Sequence, residues 1–134
     1  MRQQTGFTLI ELIAATLILA LLASFAIPSF LHAIRKSHRA EAIALLMDLQ
    51  LRQSQWRSAH SRYADSLTQL RASSQHPALR HYQLSLSEVA SNTYRLRAIA
   101  LASGGMREDR IDGVDCSTLQ IDQSGQRSPP ICWQ

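Results

Sequence analysis

Glu11 is a carboxylate in a place where a carboxylate is costly. It lies near the start of an apolar run, and from Leu12 to Ile34 the chain contains no Asp, Glu, Lys or Arg. A membrane-spanning helix needs about twenty such residues. An acid within a membrane segment costs on the order of a few kcal/mol, so a functional role is the default interpretation. The residue types therefore predict a membrane segment with a functional Glu11.

Two cysteines, Cys116 and Cys132, are the next residues with a defined chemistry. Their closeness in a chain with a membrane segment predicts one disulfide in an oxidising compartment. Two thiols with no histidine nearby in sequence make a poor zinc site, because zinc usually takes four ligands. On the chain-entropy model, closing a loop of this length contributes about 3 kcal/mol of stability.

Acidic residues and histidines are the remaining candidates for a chemical site. The stretch before Cys116 could be a calcium loop, because hard cations prefer several carboxylates, but its spacing fits no ligand pattern and a solvated loop is the preferred interpretation. The five histidines are scattered, without an arranged nucleophile. We expect no metal, no cofactor and no enzymatic activity. The acids of this stretch are Glu108, Asp109, Asp112 and Asp115.

The formal net charge is +4, carried mostly by arginine. Such a balance suits DNA or anionic lipid as a partner, but it also suits an ordinary soluble surface. The outward face of a half-exposed sheet is the preferred interpretation, and a DNA-binding patch is the alternative. The residues considered for that patch are Arg80, Arg95, Arg97, Arg107, Arg110 and Arg127, with Tyr82 and Tyr94.

Periodicity predicts one long helix at the start of the chain. The apolar stretch from Phe7 onwards should be helical, and its proline, Pro28, predicts a bend near residues 24–28. From Arg39 to about Ser61, apolar residues recur at helical spacing among polar ones, which predicts an amphipathic continuation of the same helix. The expected helix has about fifty-five residues.

Alternating residues predict strands in the second half of the chain. The segments 82–87 and 94–100 alternate with period two and predict an antiparallel hairpin. A third strand is expected over 117–122, with a turn at Ser124-Gly125 and a short return strand over 126–128. The predicted fold class is α+β, one long helix and a three- to four-stranded antiparallel sheet.

The stretch Gly6-Phe7-Thr8-Leu9-Ile10-Glu11-Leu12 resembles the N-terminal signal of type IV pilins and type II secretion pseudopilins. The resemblance implies that a prepilin peptidase cuts after Gly6 and that the new N-terminus at Phe7 is N-methylated. It also implies that Glu11 neutralises the amino terminus of a neighbouring subunit and so sets register during assembly. Pro28 matches the family pattern, whereas Ala20 replaces a glycine found in many pilins, which affects the expected unwinding of the helix.

The basic cluster Arg35-Lys36-Ser37-His38-Arg39 follows the apolar run, and we interpret it as a collar at the lipid headgroups. The positive-inside rule would place this cluster in the cytoplasm. The resemblance implies the reverse, with the C-terminal domain in the periplasm, and the paired cysteines agree with it. An ordinary signal peptide is disfavoured, because its cleavage site follows the apolar region, whereas Gly6 precedes it.

The C-terminal pattern, including Asp122-Gln123-Ser124-Gly125 and Cys132-Trp133, resembles short minor pilins of the PilE kind. The expected segments are a leader (1–6), a membrane or filament-core helix (7–34), its amphipathic half (35–62), and a loop, sheet and disulfide-closed region (63–134). The expected function is a structural subunit of a type IV pilus, held in the inner membrane until assembly, that contributes to pilus biogenesis, adhesion or twitching motility. Its expected partners are other pilin subunits, prepilin peptidase, the assembly machinery and the bilayer. The alternatives are a type II secretion pseudopilin and a competence pilin that binds DNA.

Overall fold

The computed structural model describes residues 7–134, so Gly6 and the predicted leader lie outside the described residues. The chain divides into two compact units. The first ends at Ile34 and the second comprises Arg35–Gln134.

Helix α1 runs over Leu9–Ala59. Leucine, alanine and isoleucine dominate its first part, and these are good helix formers or are common in apolar helices. The helix assignment continues through Pro28. The predicted single helix from the apolar run into the amphipathic stretch is therefore confirmed, while the bend at Pro28 stays a prediction.

Strands and short 3-10 turns make up the rest of the described chain. The strands are β1 (Tyr82–Ser87), β2 (Arg95–Ala100), β3 (Arg110–Ile111), β4 (Val114–Asp115), β5 (Thr118–Asp122) and β6 (Arg127–Ser128). The 3-10 turns are Pro77–Arg80, Ala102–Gly104, Met106–Glu108 and Pro130–Trp133. The predicted hairpin, third strand and short return strand are confirmed, and no boundary differs from the prediction by more than one residue.

The main sheet has four antiparallel strands in the order β1-β2-β5-β6. Leu96 in the second strand faces Leu86 on one side and Ile121 on the other. Because opposite residues in a ladder share a face, the buried residues of neighbouring strands line up on one side of the sheet. The α+β class is confirmed.

The core of the second unit joins the amphipathic half of α1 to this buried sheet face. Leu46 and Leu49 are completely buried, and each such side chain contributes about 1.5–3 kcal/mol relative to exposure. The cluster also holds the two cysteines and two tyrosines. Its members in the helix and main sheet include Ala42, Leu45, Leu46, Leu49, Tyr82, Leu96, Ala98, Leu119 and Ile121.

A buried glutamine holds the connecting segment against α1. Gln53 Nε2 donates to the carbonyl of Ala64 at 3.0 Å, and Gln53 Oε1 accepts from the amide of Ala64 at 2.9 Å. Both polar ends of the side chain are therefore satisfied, which removes the cost of burying an amide. The predicted anchors Tyr63 and Leu67 are partly buried and pack against the core.

The charged stretch before Cys116 is a small hairpin of β3 and β4, where the sequence predicted a solvated loop. Its two-residue turn places Asp112 at φ 50° and Gly113 at φ 80°. Positive φ at both positions is the requirement of a type I′ hairpin turn, for which Asp-Gly is a favoured pair. The hairpin leads directly into the disulfide between Cys116 and Cys132, whose Cα atoms are 5.5 Å apart.

Candidate functional site

The first part of α1 presents apolar side chains that none of the residues 7–134 cover. It is a helix long and apolar enough to cross a membrane, and the side chains of its most apolar window are not buried within the chain. Glu11 lies in the first turn, where its amide and that of Leu12 each donate to the carbonyl of Thr8 at 3.2 Å. A negative charge in the first turn interacts favourably with the helix dipole. Among the residues that the structure describes, Glu11 has no salt-bridge partner.

The structure removes Arg39 from the predicted headgroup collar, and the rest of the collar stays a prediction. Arg39 is buried and pairs with buried Asp109 at 2.5 Å, so it cannot reach a lipid headgroup. Arg35 donates to the Glu108 carboxylate at 3.1 Å. Both arginines lie on the amphipathic part of α1 and contact the segment before Cys116, because helical spacing of four residues puts them on one face. They cross-link the helix to the end of the chain that carries the disulfide.

Two histidines stack on each other, and one of them, His38, lies next to Arg39 in the chain. The rings of His38 and His81 lie 3.7 Å apart, centre to centre, and are nearly parallel. The Nδ1 atom of each ring is buried without a hydrogen-bond partner among the described residues. Burial and the neighbouring His38 ring lower the pKa of His81, although Glu41 acts in the opposite direction.

The six arginines of the predicted patch do not form one surface. Arg95 and Arg97 lie on β2, whereas Arg80 precedes β1 at the opposite end of the hairpin, because Tyr82 faces Ala100. The aromatic part of the alternative interpretation, a DNA-binding patch, is wrong. Tyr82 and Tyr94 are 1% and 2% exposed, so neither ring can stack on a base. Burial, with neighbouring Tyr63 and Asp122, raises the pKa of Tyr94 to about 12.

A different arginine and tyrosine meet at the turn between β1 and β2, residues 88–94. Arg57 Nη2, near the end of α1, donates to Asn92 Oδ1 at 2.8 Å. The same guanidinium lies 4.5 Å from the ring centre of Tyr63, and that ring packs edge-on against Tyr94. Arg57 therefore joins the helix, the connecting segment and the turn. We call Arg57, Tyr63 and Asn92 the turn-end cluster.

The solvent-facing side of the main sheet carries the second arginine group. Arg95 and Arg97 face Ser87 and Ser85 of β1 on one side. Both guanidiniums contact Oε1 of Glu88, Arg95 Nη1 at 2.7 Å and Arg97 Nη2 at 3.4 Å. On the other side Arg95 faces Asp122 and Arg97 faces Gln120 of β5. We call this side the outer sheet face; its members are Gln83, Ser85, Ser87, Arg95, Arg97, Ile99, Thr118, Gln120 and Asp122.

Comparison with known proteins decides which family these features belong to. Residues 28–120 match the family described as type IV minor pilin ComP, DNA uptake sequence receptor. The chain belongs to this family of type IV minor pilins. Residues 1–27 match the prokaryotic N-terminal methylation motif, so the resemblance read from Gly6 to Leu12 is confirmed.

One solved structure supports the fold of this minor pilin. A type IV pilin from Shewanella oneidensis aligns with a TM-score of 0.55 and 20% sequence identity, over 75% of this chain and 98% of that chain. At that identity the likeness shows the fold alone. Comparison with curated proteins found no match.

Three of the four acids of the minor pilin that could be read as a calcium loop have protein partners. Glu108 and Asp109 pair with arginines of α1. Asp115 accepts the amide of Ser117 at 2.8 Å, and hydrogen bonds from Ser117 lower the pKa of Asp115. Within residues 7–134, no group of three or more His, Cys, Asp or Glu side chains is arranged to hold a metal ion.

An open groove of about 520 Å³ lies between the amphipathic part of the pilin helix and residues 69–71. Its lining includes Asp48, Arg52, Trp56 and His60, and no serine, threonine, cysteine or lysine. The family consists of structural filament proteins.

Sequence reasoning missed three cross-links of this pilin: Arg39 with Asp109, His38 with His81, and Arg57 with Asn92. Their partners are 70, 43 and 35 residues apart in the chain, and nothing in a local pattern pairs them. One signal was available, since Arg39 falls on the helix face that holds buried Ala42 and Leu46. A charged residue on an apolar face requires a partner.

Proposed function

We propose that this minor pilin is a DNA receptor on a type IV pilus, and that its arginines at the β1–β2 turn contact DNA phosphates. The main supporting observation is that two arginine groups meet at this turn. Arg57 reaches it through Asn92, and Arg95 and Arg97 reach it through Glu88. The family description, a DNA uptake sequence receptor, supports the same assignment.

The charge distribution supports this proposal. Arg2 and Glu11 cancel, so the net charge of +4 is carried by residues 35–134. Within residues 7–134, Arg57 and Arg62 lie at the end of α1 without a carboxylate in salt-bridge distance. Guanidiniums bind phosphate through paired N–H donors. A basic end without counter-charges suits a polyanion.

DNA binding of this kind depends on salt. Each phosphate neutralised by an arginine contributes about −0.9 to the slope of log affinity against log salt concentration. Contacts from Arg57, Arg95 and Arg97 therefore predict a slope of about −3. The polar neighbours Asn92 and Gln120 can donate to or accept from base edges, which is the chemistry that sequence preference requires.

The test is fluorescence anisotropy of the full chain in detergent micelles, titrated against short duplex DNA of random sequence. Arg57→Gln and the double change Arg95→Gln with Arg97→Gln should each weaken binding several-fold and flatten the salt slope. Arg107→Gln is the matched control, because it removes the same charge from an exposed arginine outside both groups. Equal losses in all three variants, or no binding by the wild type, would contradict the proposal.

We also propose the processing and assembly route that the N-terminal motif implies. Prepilin peptidase cuts between Gly6 and Phe7, Phe7 is N-methylated, and Glu11 pairs with the amino terminus of a neighbouring subunit in the filament. Both charges are costly in an apolar setting when alone, and pairing them recovers much of that cost. The second unit faces the periplasm before assembly, which suits the disulfide of Cys116 and Cys132.

The outward face of the amphipathic helix supports contact with other pilin subunits. Ala40, Ala44, Met47 and Leu51 recur at spacings of four, three and four, and Met47 and Leu51 are 37% and 56% exposed. Such spacing forms one uncharged stripe along a helix. We expect Leu51→Glu to reduce recovery of the subunit in sheared pili, while Gln55→Glu, an equally acidic change at an exposed polar position, leaves recovery unchanged.

A further inference from the structure

Glu88 occupies an unusual backbone position beside the arginines of the outer sheet face. Its φ is 54°, in the left-handed region that non-glycine residues seldom adopt. The conformation is held by the turn, because Thr93 Oγ1 donates to the Glu88 carbonyl at 3.0 Å and the amide of Ala90 donates to the carbonyl of Thr93. This backbone directs the Glu88 carboxylate to both guanidiniums.

The carboxylate matches the two arginines poorly. A single oxygen, Oε1, serves both Arg95 and Arg97, and the second contact is long at 3.4 Å. Arg97 Nε is buried without any acceptor among the described residues. Each guanidinium has five N–H donors, so most of them are left for another acceptor. A phosphate, with more oxygens and more negative charge, would satisfy them better.

We propose that Glu88 is an internal competitor for this part of the DNA surface: its carboxylate occupies the phosphate position between Arg95 and Arg97 and must be displaced when DNA binds. This inference rests on the proposed DNA-receptor function. Glu88 is 52% exposed, so its side chain can swing into water without unfolding the turn. Exposed pairs of this kind are weak, which makes displacement by a polyanion accessible.

Competition from Glu88 lowers the affinity for DNA and sets a minimum number of phosphates that a ligand must offer in order to bind. A nucleic acid must offer enough phosphates at once to replace Glu88, so short or sparsely charged anions bind weakly. Asp122 is the other acid near Arg95, but its carboxylate accepts the amides of Ser124 and Gln126 and is committed to the β5–β6 turn. Glu88, in the turn beside the outer sheet face, is therefore the acid whose carboxylate can move away from the arginines.

The test measures duplex DNA binding by the full chain in detergent micelles at several salt concentrations. Glu88→Gln should raise affinity about three- to tenfold and steepen the salt slope by up to about one unit, because one more phosphate contact forms without an opposing charge. Glu88→Asn should do the same with less backbone strain, because asparagine tolerates the left-handed region. Thermal unfolding of both variants checks that the turn is intact.

Asp48→Asn is the matched control. Arg52 pairs with Asp48 at 2.8 Å, with side-chain exposures of 37% and 46%, close to the 37% and 52% of Arg95 and Glu88. Equal gains in Asp48→Asn and Glu88→Gln would mean that net charge alone is responsible and would overturn the proposal. Weaker binding by Glu88→Gln would show that Glu88 orients the arginines for DNA, which also overturns the proposal.

Absence of DNA binding in the wild type and both Glu88 variants would overturn the receptor function itself. Unchanged affinity in the variants alone would overturn only the role of Glu88 as a competitor.

Discussion

Arg39 and Asp109 form an ion pair inside the domain, with side chains only 5% and 3% exposed, across a sequence separation of 70 residues. The carbonyl of Asp109 also accepts the amide of Cys116 at 2.9 Å. One residue thus connects α1 to the disulfide-bearing segment through both its side chain and its backbone. The position of that segment on the helix depends on this pair.

Removing one partner of this pair should be strongly destabilising. Asp109→Asn leaves the Arg39 guanidinium buried without a counter-charge, and the expected loss is about 3–5 kcal/mol in the free energy of unfolding. Urea unfolding of the full chain in detergent measures it. Glu108→Gln, which breaks the exposed pair with Arg35, is the control and should cost less than about 1 kcal/mol. Similar losses of unfolding free energy in both variants would contradict the interpretation that the buried pair contributes more than the exposed one.

The stacked histidines predict that the domain weakens in acid. The pKa of His81 is lowered in the folded state from the usual 6.5, so the unfolded chain binds a proton more readily. Stability is therefore full above about pH 6.5 and falls as the pH drops through the lowered pKa. The titratable groups that influence His81 are His38 and Glu41 on α1 and Arg80 before β1.

Unfolding curves at pH 7.5 and below pH 6 test this behaviour, compared between the wild type and His81→Gln. The variant should lose part of the acid sensitivity. His60→Gln is the control, because it removes an exposed histidine that lies outside the stacked pair. An identical pH profile for wild type and His81→Gln would exclude the histidine pair as the cause.

Loss of the disulfide should lower the stability of the whole second unit. The bond closes a segment with a sequence separation of 16 residues, and both cysteines are fully buried. Loop closure of this size is worth about 3 kcal/mol. We expect reductant to lower the unfolding midpoint of the wild type and to have no effect on the double variant Cys116→Ser with Cys132→Ser. A midpoint unaffected by complete reduction would show that the bond adds no stability.

Glu11→Leu should leave membrane insertion intact and prevent incorporation into a filament. The change removes the carboxylate that is proposed to pair with the neighbouring amino terminus, while it keeps the segment apolar. Membrane fractionation and immunoblotting of sheared pili separate the two steps. Ser24→Ala is the control, because it removes another polar group from the apolar part of the helix. Normal recovery of the Glu11 variant in pili would contradict the hypothesis that Glu11 sets the register of subunits during assembly.

Gly6→Val should leave the leader attached. A side chain at this position hinders the close approach of a peptidase, since only glycine lacks one. Mass spectrometry of the N-terminal peptide distinguishes the processed from the unprocessed chain. Arg2→Gln changes the leader without changing the residue before the cut, and its product should begin at Phe7 like the wild type. A normal mature N-terminus in Gly6→Val would place the cut elsewhere.

The sequence was sufficient for the helix and the main strands because their patterns are local. Period-two alternation predicted the bounds of β1 and β2 to within one residue. Apolar spacing predicted the single helix α1, which the structure shows over Leu9–Ala59. Alternation could also have excluded Tyr94 from the arginine surface, because it puts Tyr94 on the face opposite to Arg95. The pair Asp112-Gly113 was a recognised hairpin signal within a stretch predicted to be a loop.

The candidate site depended on contacts that no local pattern contains. Arg57 becomes part of a surface only because the β1–β2 turn returns to the end of α1 and brings Asn92 within hydrogen-bond distance. Likewise, Glu88 reaches two arginines through a positive φ that its residue type disfavours. Tertiary context overrides such local preferences, and the residues of the proposed DNA surface lie at these places.

The hydrogen bond between Arg57 and Asn92 also has a mechanical consequence. Under the proposed DNA-receptor function, tension from the bound polymer must pass to the filament. Load applied at the β1–β2 turn reaches α1 through the Arg57 side chain, without passing along the polar connecting segment. The turn that would hold the cargo is thus fastened directly to the helix that carries the subunit's apolar anchor.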